Sequence, residues 1–376
     1  MKLPAPPTED SFRSPLHHPR VATVIGRWLA AAVVICFLTG LFSHFVQETS
    51  AWLHIPTRPA SLYRVTQGLH VLSGTIAVPL LLAKLWTVYP KLFAKPELKT
   101  LLERGSILVL VAAMALELFI GYLNTLQWYP WPFPFKQTHY ALAWIIVGAL
   151  LVHIAVKLPL IRSHWRRTTD AVPESLPPAT TGLTRRGLFR TVAGAASLVG
   201  ISTIGQSVPV FGPVAVLAPR KPNVGPQGLP VNRTAHDAGV FRIAADWRFT
   251  ISGPQQLSLS LTELQGLPQS RSDLPIACVE GWSQGAHWEG IRIRDLLHLC
   301  GAPASSRVRV VSMEKGGFYA TTELPPEYAA DPLTLLALRL NGGELALDHG
   351  FPARIIAPNR PGVLQTKWVH RLEVLS

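Results

Sequence analysis

The chain has 376 residues, a length that allows two or three domains, and 48% of them are hydrophobic. Its mean hydropathy of +0.25 is too high for an ordinary soluble enzyme. The formal net charge of +13 does not indicate nucleic-acid binding, because residues 212–376 carry 16 Lys and Arg against 14 Asp and Glu. A nucleic-acid-binding protein would concentrate the excess on one basic face of a soluble domain. Three cysteines without a CxxC pair also argue against a disulfide framework or a zinc site.

Five apolar runs in the first 211 residues are long enough to cross the hydrocarbon core of a bilayer, which needs about 20 residues. They cover residues 27–46, 62–86, 105–123, 139–158 and 188–211. The excess positive charge lies in three clusters that alternate with loops almost devoid of Lys and Arg. These clusters are residues 2–27, 84–104 and 157–190. This positive-inside pattern predicts a multi-pass protein of the cell membrane, surrounded by lipid, with a cytoplasmic N-terminus and an extracytoplasmic C-terminal domain.

The fifth run follows a Pro-rich segment, residues 171–182, that is typical of a flexible cytoplasmic linker. It is introduced by the sequence TRRGLFR at residues 184–190. The two adjacent arginines fit either a basic stop on the cytoplasmic side or an internal twin-arginine export signal, which serves domains that fold around a cofactor before export. Both interpretations stay open on this motif alone.

Four histidines lie within or at the edges of the predicted spans, where histidines are uncommon and indicate function by default. They are His44, His70, His139 and His153. On the fourth span His139 and His153 are 14 residues apart. That separation is close to four helical turns, so their rings share one face about 21 Å apart along the axis.

This spacing resembles the haem-bearing helix of the membrane cytochrome b subunits of hydrogenases and formate dehydrogenases. The sequences FLTGLFSH, at the end of the first span, and YRVTQGLHVLSG, at the start of the second, are similar to that family as well. The resemblance implies haem b bound by two histidines at similar depth on facing helices. His70 and His139 both enter their spans from the outer surface and form the predicted pair, with His44 as the substitute.

An inner haem would need a second pair of histidines nearer the cytoplasm. His153 has the right depth, but Gly26-Arg27 stands where family members with two haems carry an inner histidine. His153 is therefore either a haem-iron ligand without its usual partner or a hydrogen-bonded core histidine. The number of haems stays open.

The C-terminal part reads as a soluble domain of adequate length for one core. Alternating or β-rich runs predict strands at residues 240–244, 248–253, 257–261, 307–313, 317–324, 353–358 and 368–375. A short helix is predicted at residues 292–301, with Cys300 on its apolar side as a core thiol. The pattern predicts an α+β domain dominated by antiparallel or mixed sheet.

Cys278 follows the extended apolar sequence LPIA and precedes VEGWS, whose glycine indicates a turn or loop. A thiol at the end of a strand that faces a loop-walled pocket suits a metal ligand or a nucleophile. A nucleophile would need a histidine base, for which His287, His298 and His349 are available. A buried structural cysteine is the third interpretation.

The sequence CVEGWSQGAHWEGIRIRDLL around this cysteine resembles the sulfite-oxidase-fold molybdopterin domain. LPVNRTA before it, and LALRLNGGELALDHGFPARIIAPNR and KWVHRLEVL after it, are similar to that family in the same order. The match is especially close to the catalytic subunit of periplasmic methionine sulfoxide reductase, and it covers residues 229–376. It implies that the Cys278 thiolate binds molybdenum beside the dithiolene of one molybdopterin, as suits a soft ligand.

The resemblance also assigns further site residues. Cofactor contacts are implied for Asn232, Arg233, Ser283, His349, Arg354, Arg360 and Lys367. Trp282 and His287 join Cys278 as candidate catalytic residues that line the substrate pocket. Sulfite oxidases carry an arginine soon after the cysteine, whereas Val279 and Glu280 follow here. We therefore expect a weakly charged oxo-compound as substrate instead of sulfite.

The sequence thus predicts a two-part chain. The membrane part consists of a cytoplasmic segment (1–26), a four-helix cytochrome b-like membrane domain (27–160), a cytoplasmic linker (161–187) and a fifth, tethering transmembrane helix (188–211). It is followed by a second linker (212–228) and the α+β molybdopterin domain (229–376). The predicted function is oxygen-atom transfer on a small oxo-compound, with electrons exchanged with the quinone pool through haem b. The alternatives are a non-catalytic membrane-anchored binding protein and an electron-transfer protein whose outer domain docks a partner.

Overall fold

The computed structural model describes residues 12, 14–48, 54–94, 98–165 and 183–375. The Pro-rich linker predicted at residues 171–182 lies outside these ranges. The chain divides into two compact units. The first comprises Met1–Leu38 and His70–Thr203, and the second comprises Thr39–Leu69 and Ile204–Ser376.

Five long helices account for most of the chain before residue 205. They are α1 (Pro19–Gln47), α2 (Leu62–Val88), α3 (Leu98–Thr125), α4 (Phe135–Ser163) and α5 (Arg185–Ile204). Each is long and apolar enough to cross a membrane. The five predicted spans therefore all correspond to helices, and the C-terminal end of α1 and the first turns of α2 belong to the second unit.

The helices of the first unit are apolar on their inner and their outer faces. Ala77, Leu110 and Ile146 are buried between the helices, whereas Leu108 and Leu151 point outward with more than 60% of their surface exposed. A helix that is hydrophobic all round is stable in the interior of a large protein or in lipid. This distribution suits a bundle surrounded by hydrocarbon.

The fifth helix is shorter than the sequence predicts. It ends at Ile204, not at residue 211, and Pro209–Val214 forms a separate 3₁₀ helix. A side chain at Gly205 would collide with Ala215 and the carbonyl of Phe211, so the chain folds back tightly at this point. The prolines in the following segment cannot donate the backbone hydrogen bonds that would continue the helix.

The second unit contains two five-stranded sheets and three short helices. Its strands are β1 (Arg248–Ser252), β2 (Leu257–Ser260), β3 (Ser270–Ala277), β4 (Ser283–Arg292), β5 (Arg307–Ser312), β6 (Thr321–Leu324), β7 (Leu335–Leu340), β8 (Gly343–Glu344), β9 (Arg354–Ile356) and β10 (Val369–Leu375). Its helices are α6 (Leu261–Gly266), α7 (Ile293–Leu299) and α8 (Pro326–Ala330). One sheet has the order β2-β1-β10-β5-β6; in the other, β3-β4-β7-β8 are neighbours and β9 also pairs with β7. Only β1 and β10 pair in parallel, so the predicted mixed α+β sheet structure is present.

The strand predictions were incomplete in the middle of the domain. Residues 240–244 form no strand, because Val240 packs in a small cluster with Ala235 and Trp368 while this extended segment pairs with no neighbour. Strands β4 and β7 were not predicted, and of β3 only the LPIA end was, although together these strands form the centre of one sheet. The predicted helix at residues 292–301 is α7, and Cys300 behind it is fully buried in the core, as expected.

Strands β4 and β7 approach each other closely where the ladder between them shifts register at Gly290. A side chain at this position would overlap the carbonyl oxygen of Leu336 and the backbone of Ala337. Glycine is therefore required for the two strands to pair.

We expect Gly290→Ala to destabilise the second unit by about 1–3 kcal/mol, since the added methyl group has no space. Thermal unfolding of the detergent-purified full chain measures this loss. Gly285→Ala is the matched control on β4, because no atom lies within 4 Å of the added carbon there. Equal unfolding temperatures for the two variants would contradict this explanation.

Candidate molybdenum site and haem-binding histidines

Cys278 is the first residue after β3, in a loop that returns the chain into β4. Its backbone N–H donates to the carbonyl of Trp282 at 2.9 Å, and the N–H of Gly281 donates back to the Cys278 carbonyl at 3.0 Å. Gly281 has a φ of 96°, which L side chains rarely adopt. The loop is therefore a closed turn that holds the thiol at a strand end, fully buried.

The surroundings of this thiol do not suit a nucleophile. Burial and the neighbouring charge of Glu280 raise the pKa of the Cys278 thiol well above its usual range. A nucleophilic cysteine instead needs a nearby cation or histidine that lowers its pKa. A bound metal cation reverses this balance, because a coordinating thiol is deprotonated outright. The only side-chain donor hydrogen-bonded to the sulfur in the described residues is the amide of Asn232, at 3.9 Å.

His287 does not approach Cys278 in the structure. Its side chain is 77% exposed and pairs with Asp273 at 2.6 Å, while the adjacent Trp288 is fully buried. The two residues lie on opposite faces of β4, because successive side chains of a strand alternate. The structure therefore does not support the predicted catalytic role of His287. Trp282, by contrast, is 2% exposed and its Nε1 donates to Glu280 Oε2 at 2.9 Å.

Three cations of the same domain, two buried and one partly buried, hydrogen-bond to backbone carbonyls and lie over aromatic rings. Arg354 donates to the carbonyls of His349 and Gln365, Arg360 to those of Leu364 and Glu323, and Lys367 to those of Arg233 and Asp348. Among the described residues, no carboxylate lies within ion-pair distance of any of the three. A buried charge without a counter-ion is costly. Burial accordingly lowers the pKa of all three side chains, that of Lys367 to about 7.

Several buried polar atoms near these cations make no hydrogen bond within the described structure. Arg354 Nε, Ser283 Oγ and Gln365 Oε1 are such atoms. Native proteins seldom leave buried polar groups unpaired, and exceptions often mark an absent ligand. An anionic cofactor with many acceptor and donor atoms would satisfy both the cations and these groups. The residues present therefore fit a phosphate-bearing pterin.

The remaining predicted cofactor contacts are more varied. His349 is 1% exposed and its Nε2 lies 2.8 Å from the carbonyl of Pro226, to which it must donate. Burial lowers the pKa of His349 to about 4, with the positive charge of Arg354 as the next cause. Arg233 is half-exposed and forms an ion pair with Glu314 at 2.7 Å.

The first turns of α2 and the segment after α5 bind the cysteine loop, which was not foreseen from the sequence. Gln67 donates from Nε2 to the Val279 carbonyl at 2.6 Å. Ser207 Oγ donates to the Gly281 carbonyl at 2.5 Å, and the backbone N–H of Ser283 donates to the Gln206 carbonyl at 3.0 Å. Three backbone groups in and beside the loop thus form hydrogen bonds with residues outside the two sheets.

The first unit brings His70 and His139 together. Their ring centres lie 6.1 Å apart at an interplanar angle of 85°. His70 Nδ1 lies 2.8 Å from the carbonyl oxygen of Cys36, and His139 Nδ1 lies 3.1 Å from Glu117 Oε2. Because both partners are acceptors, each Nδ1 carries the hydrogen and each Nε2 is left as a potential ligand.

This arrangement fits two axial ligands of one iron. A metal–imidazole bond is about 2 Å long, and the ring centre lies roughly another 1 Å behind the nitrogen, so two rings on one metal stand about 6 Å apart. Partners at Nδ1 are the usual way in which proteins orient a metal-binding imidazole. The residues present therefore fit bis-histidine haem.

The other two candidate histidines lie elsewhere. His44 lies in the last turn of α1, which belongs to the second unit. Beside His153 the nearby charged side chains include Lys84. Lys84 Nζ donates to the Ala22 carbonyl at 2.7 Å and would lie 3.2 Å from a side-chain carbon at Gly26, the position expected for an inner ligand.

Comparison with known proteins identifies the C-terminal domain. Residues 237–376 match the oxidoreductase molybdopterin binding domain. Sulfite oxidase of Mus musculus is 31% identical over 150 residues, which cover 33% of this chain and 28% of that protein. YuiH of Bacillus subtilis, an uncharacterized oxidoreductase, is 28% identical over 148 residues, 39% of this chain and 73% of its own. YedZ1 of Azospira oryzae, provisionally named as a protein-methionine-sulfoxide reductase subunit, is 31% identical over 135 residues, 35% of this chain and 50% of its own.

The site and these matches define the domain as a molybdopterin-binding oxidoreductase. The chain carries a match to the oxidoreductase molybdopterin binding domain at residues 237–376, and this part of it is similar to sulfite oxidase and to YedZ1. It spans little more than a quarter of the mouse sulfite oxidase.

We expect Lys367→Met to lower the molybdenum content of the purified full chain by about tenfold or more, because a buried phosphate loses a charged donor. Elemental analysis per folded chain measures the loss. Lys315→Met is the control, since Lys315 is exposed on the same domain. Unchanged molybdenum in the Lys367 variant would remove this residue from the cofactor site.

The stability of the domain should fall in weak acid because of His349. Its pKa of about 4 in the folded chain lies below the ordinary value of 6.5, so the unfolded chain binds the proton first as the pH falls. The contribution of neutral His349 to the free energy of unfolding is present above pH 6.5. It decreases by about 2 kcal/mol between pH 6.5 and pH 5. The pH dependence of unfolding in detergent tests this, and a His349→Gln variant with the same pH dependence would contradict it.

Proposed function

We propose that this chain is a membrane-bound enzyme that transfers an oxygen atom to or from a small oxo-compound outside the cytoplasm, and that it exchanges electrons with the quinone pool through haem b. The observation that carries the proposal is that one domain holds both a fully buried cysteine at a strand end and three desolvated cations that form no ion pair within the described residues. The molybdenum–molybdopterin group, when bound, supplies the two-electron chemistry.

The chain's own residues would bind and orient this group. The Cys278 thiolate would be the protein ligand of the metal, as soft sulfur ligands suit a redox metal. Arg354, Arg360 and Lys367 would bind the phosphate of the cofactor, and the unpaired Ser283 hydroxyl would complete its hydrogen bonds. Asn232, whose amide already faces the sulfur, would hold the thiolate in place.

The substrate class follows from the residues after the cysteine. Glu280 is 4% exposed and stands beside Cys278 without an arginine next to it in the loop. A buried acidic group disfavours an anion such as sulfite, because like charges at close range repel in a medium of low dielectric constant. An uncharged oxo-compound such as a sulfoxide suits this site, with Trp282 as part of an apolar wall.

Haem b is proposed for the first unit, with His70 and His139 as its iron ligands. The 6.1 Å separation of the two rings and the acceptors at both Nδ1 atoms support this assignment. We propose a single haem, because Lys84 fills the space beside Gly26 that an inner ligand would need. His153 is then a polar core residue, and His44 is not a ligand.

The membrane arrangement rests on the five apolar helices and on the alternating basic clusters. It places the N-terminus in the cytoplasm and the molybdopterin domain outside it. Arg185 and Arg186 begin α5, as a twin-arginine signal for export of a cofactor-loaded domain would require. Quinol would then be the electron partner within the bilayer.

We expect Cys278→Ser to abolish oxygen-atom transfer and to lower bound molybdenum, because the harder hydroxyl is a poor ligand for the metal. Molybdenum and iron per chain and sulfoxide-dependent oxidation of a quinol analogue are the measurements, all on the detergent-purified full chain. Iron should stay at one haem per chain.

Cys300→Ser is the matched control, because Cys300 is equally buried but lies in a separate hydrophobic core. It should retain molybdenum and activity. A fully active Cys278 variant would defeat the proposal. A wild-type chain with haem but without molybdenum would favour the electron-transfer alternative.

A further inference from the structure

Glu117 is a carboxylate in the interior of an apolar helix. It lies on α3, within the segment long and apolar enough to cross a membrane, and only 14% of its side chain is exposed. Acidic residues in such segments are rare and costly, and those that occur face a partner and serve a function. The one charged or protonatable partner within 4 Å among the described residues is His139.

The contact between these two side chains is specific. Glu117 Oε2 lies 3.1 Å from His139 Nδ1 as an ion-pair contact, and neither atom makes a hydrogen bond to a described group. The oxygen is an acceptor only, so the Nδ1–H of the imidazole faces the carboxylate and its Nε2 faces away.

Two neighbours hold the ring of His139 in this orientation. Gly121 follows Glu117 by one helical turn, and a side-chain carbon there would approach His139 Cε1 to 3.3 Å, so the ring lies directly against α3. Phe135 stacks on the ring with the centres 4.9 Å apart and the planes 26° apart. The imidazole can therefore turn little about its own bond without losing the carboxylate.

The second histidine of the pair has a different partner. His70 Nδ1 donates to a neutral backbone carbonyl, that of Cys36 at 2.8 Å. The Glu117 carboxylate carries a full negative charge 3.1 Å from the His139 ring, whereas the Cys36 carbonyl is only a dipole, so the electrostatic effect on His139 is the stronger one. The two imidazoles would thus donate unequal electron density to a shared metal.

We propose that Glu117 is a positioning residue for His139 as a haem-iron ligand, and that its carboxylate lowers the midpoint potential of that haem. This inference rests on the proposed function, since it requires haem between His70 and His139. An acceptor at Nδ1 raises the basicity of Nε2. A more basic ligand and a nearby negative charge both stabilise ferric iron more than ferrous iron, which lowers the potential.

The test is a redox titration of the detergent-purified full chain, together with the low-spin ferric electron paramagnetic resonance spectrum. Glu117→Gln should retain haem, raise the midpoint potential and shift the ferric g values, because the amide oxygen is a weaker acceptor. Glu103→Gln is the matched control on α3, since Glu103 pairs with Lys157 instead of a haem-binding histidine. Its potential and spectrum should equal those of the wild type.

Each result decides between separate claims. A Glu117→Gln variant with haem but with the wild-type potential and spectrum overturns the inference and leaves the proposed function intact. A wild-type chain that binds no haem overturns the haem assignment itself. If the Gln variant loses haem, Glu117→Asp should retain it because the carboxylate is kept, and loss from both variants overturns the role of the charge.

Discussion

The C-terminal domain contains desolvated positive charges that form no ion pair within the described residues. The side chains of Arg354, Arg360 and Lys367 donate to backbone carbonyls, and no carboxylate of the described residues forms an ion pair with them within 4 Å. Removing three such cations from water costs more free energy than their interactions with carbonyl dipoles recover. An anion is therefore needed for their burial to be favourable. A bound anionic group would also satisfy the Ser283 hydroxyl and the buried Gln365 amide oxygen, which have no hydrogen-bond partner among the described residues.

A second constraint acts on the cysteine loop from outside the sheets. The loop has backbone groups that the β3–β4 ladder does not pair, and Gln67, Gln206 and Ser207 supply their partners. Gln67 lies within α2, whereas Gln206 and Ser207 follow α5. All three lie outside residues 237–376, which match the molybdopterin binding domain. In the sequence, His70 follows Gln67 by only three residues, so one helix carries both a partner of the cysteine loop and a proposed haem-iron ligand.

The sequence was sufficient for features that depend on local pattern. The apolar runs predicted all five long helices, the LPIA sequence predicted an extended approach to Cys278, and depth along the spans paired His70 with His139. The sequence was not sufficient for features that depend on tertiary contacts. Strand β4 was not predicted, because its two glycines and mixed side chains hide the alternation that places His287 and Trp288 on opposite faces. Recognition of that alternation would have removed His287 from the pocket.

Other errors and omissions have equally physical causes. Residues 240–244 have the composition of a strand, but no strand pairs with them. Helix α5 ends earlier than predicted because the chain reverses tightly at Gly205, where no side chain would fit. Glu117 and Gln67 are visible in the sequence only as polar residues in apolar helices. Their partners, His139 and the Val279 carbonyl, are set by packing that no local pattern encodes.

X-ray absorption at the molybdenum edge tests the central claim most directly, because it counts the sulfur atoms bound to the metal. The account predicts three sulfur neighbours in the wild-type chain, two from the pterin dithiolene and one from Cys278. A spectrum with the dithiolene sulfurs alone, in a chain that still transfers oxygen atoms, would contradict it.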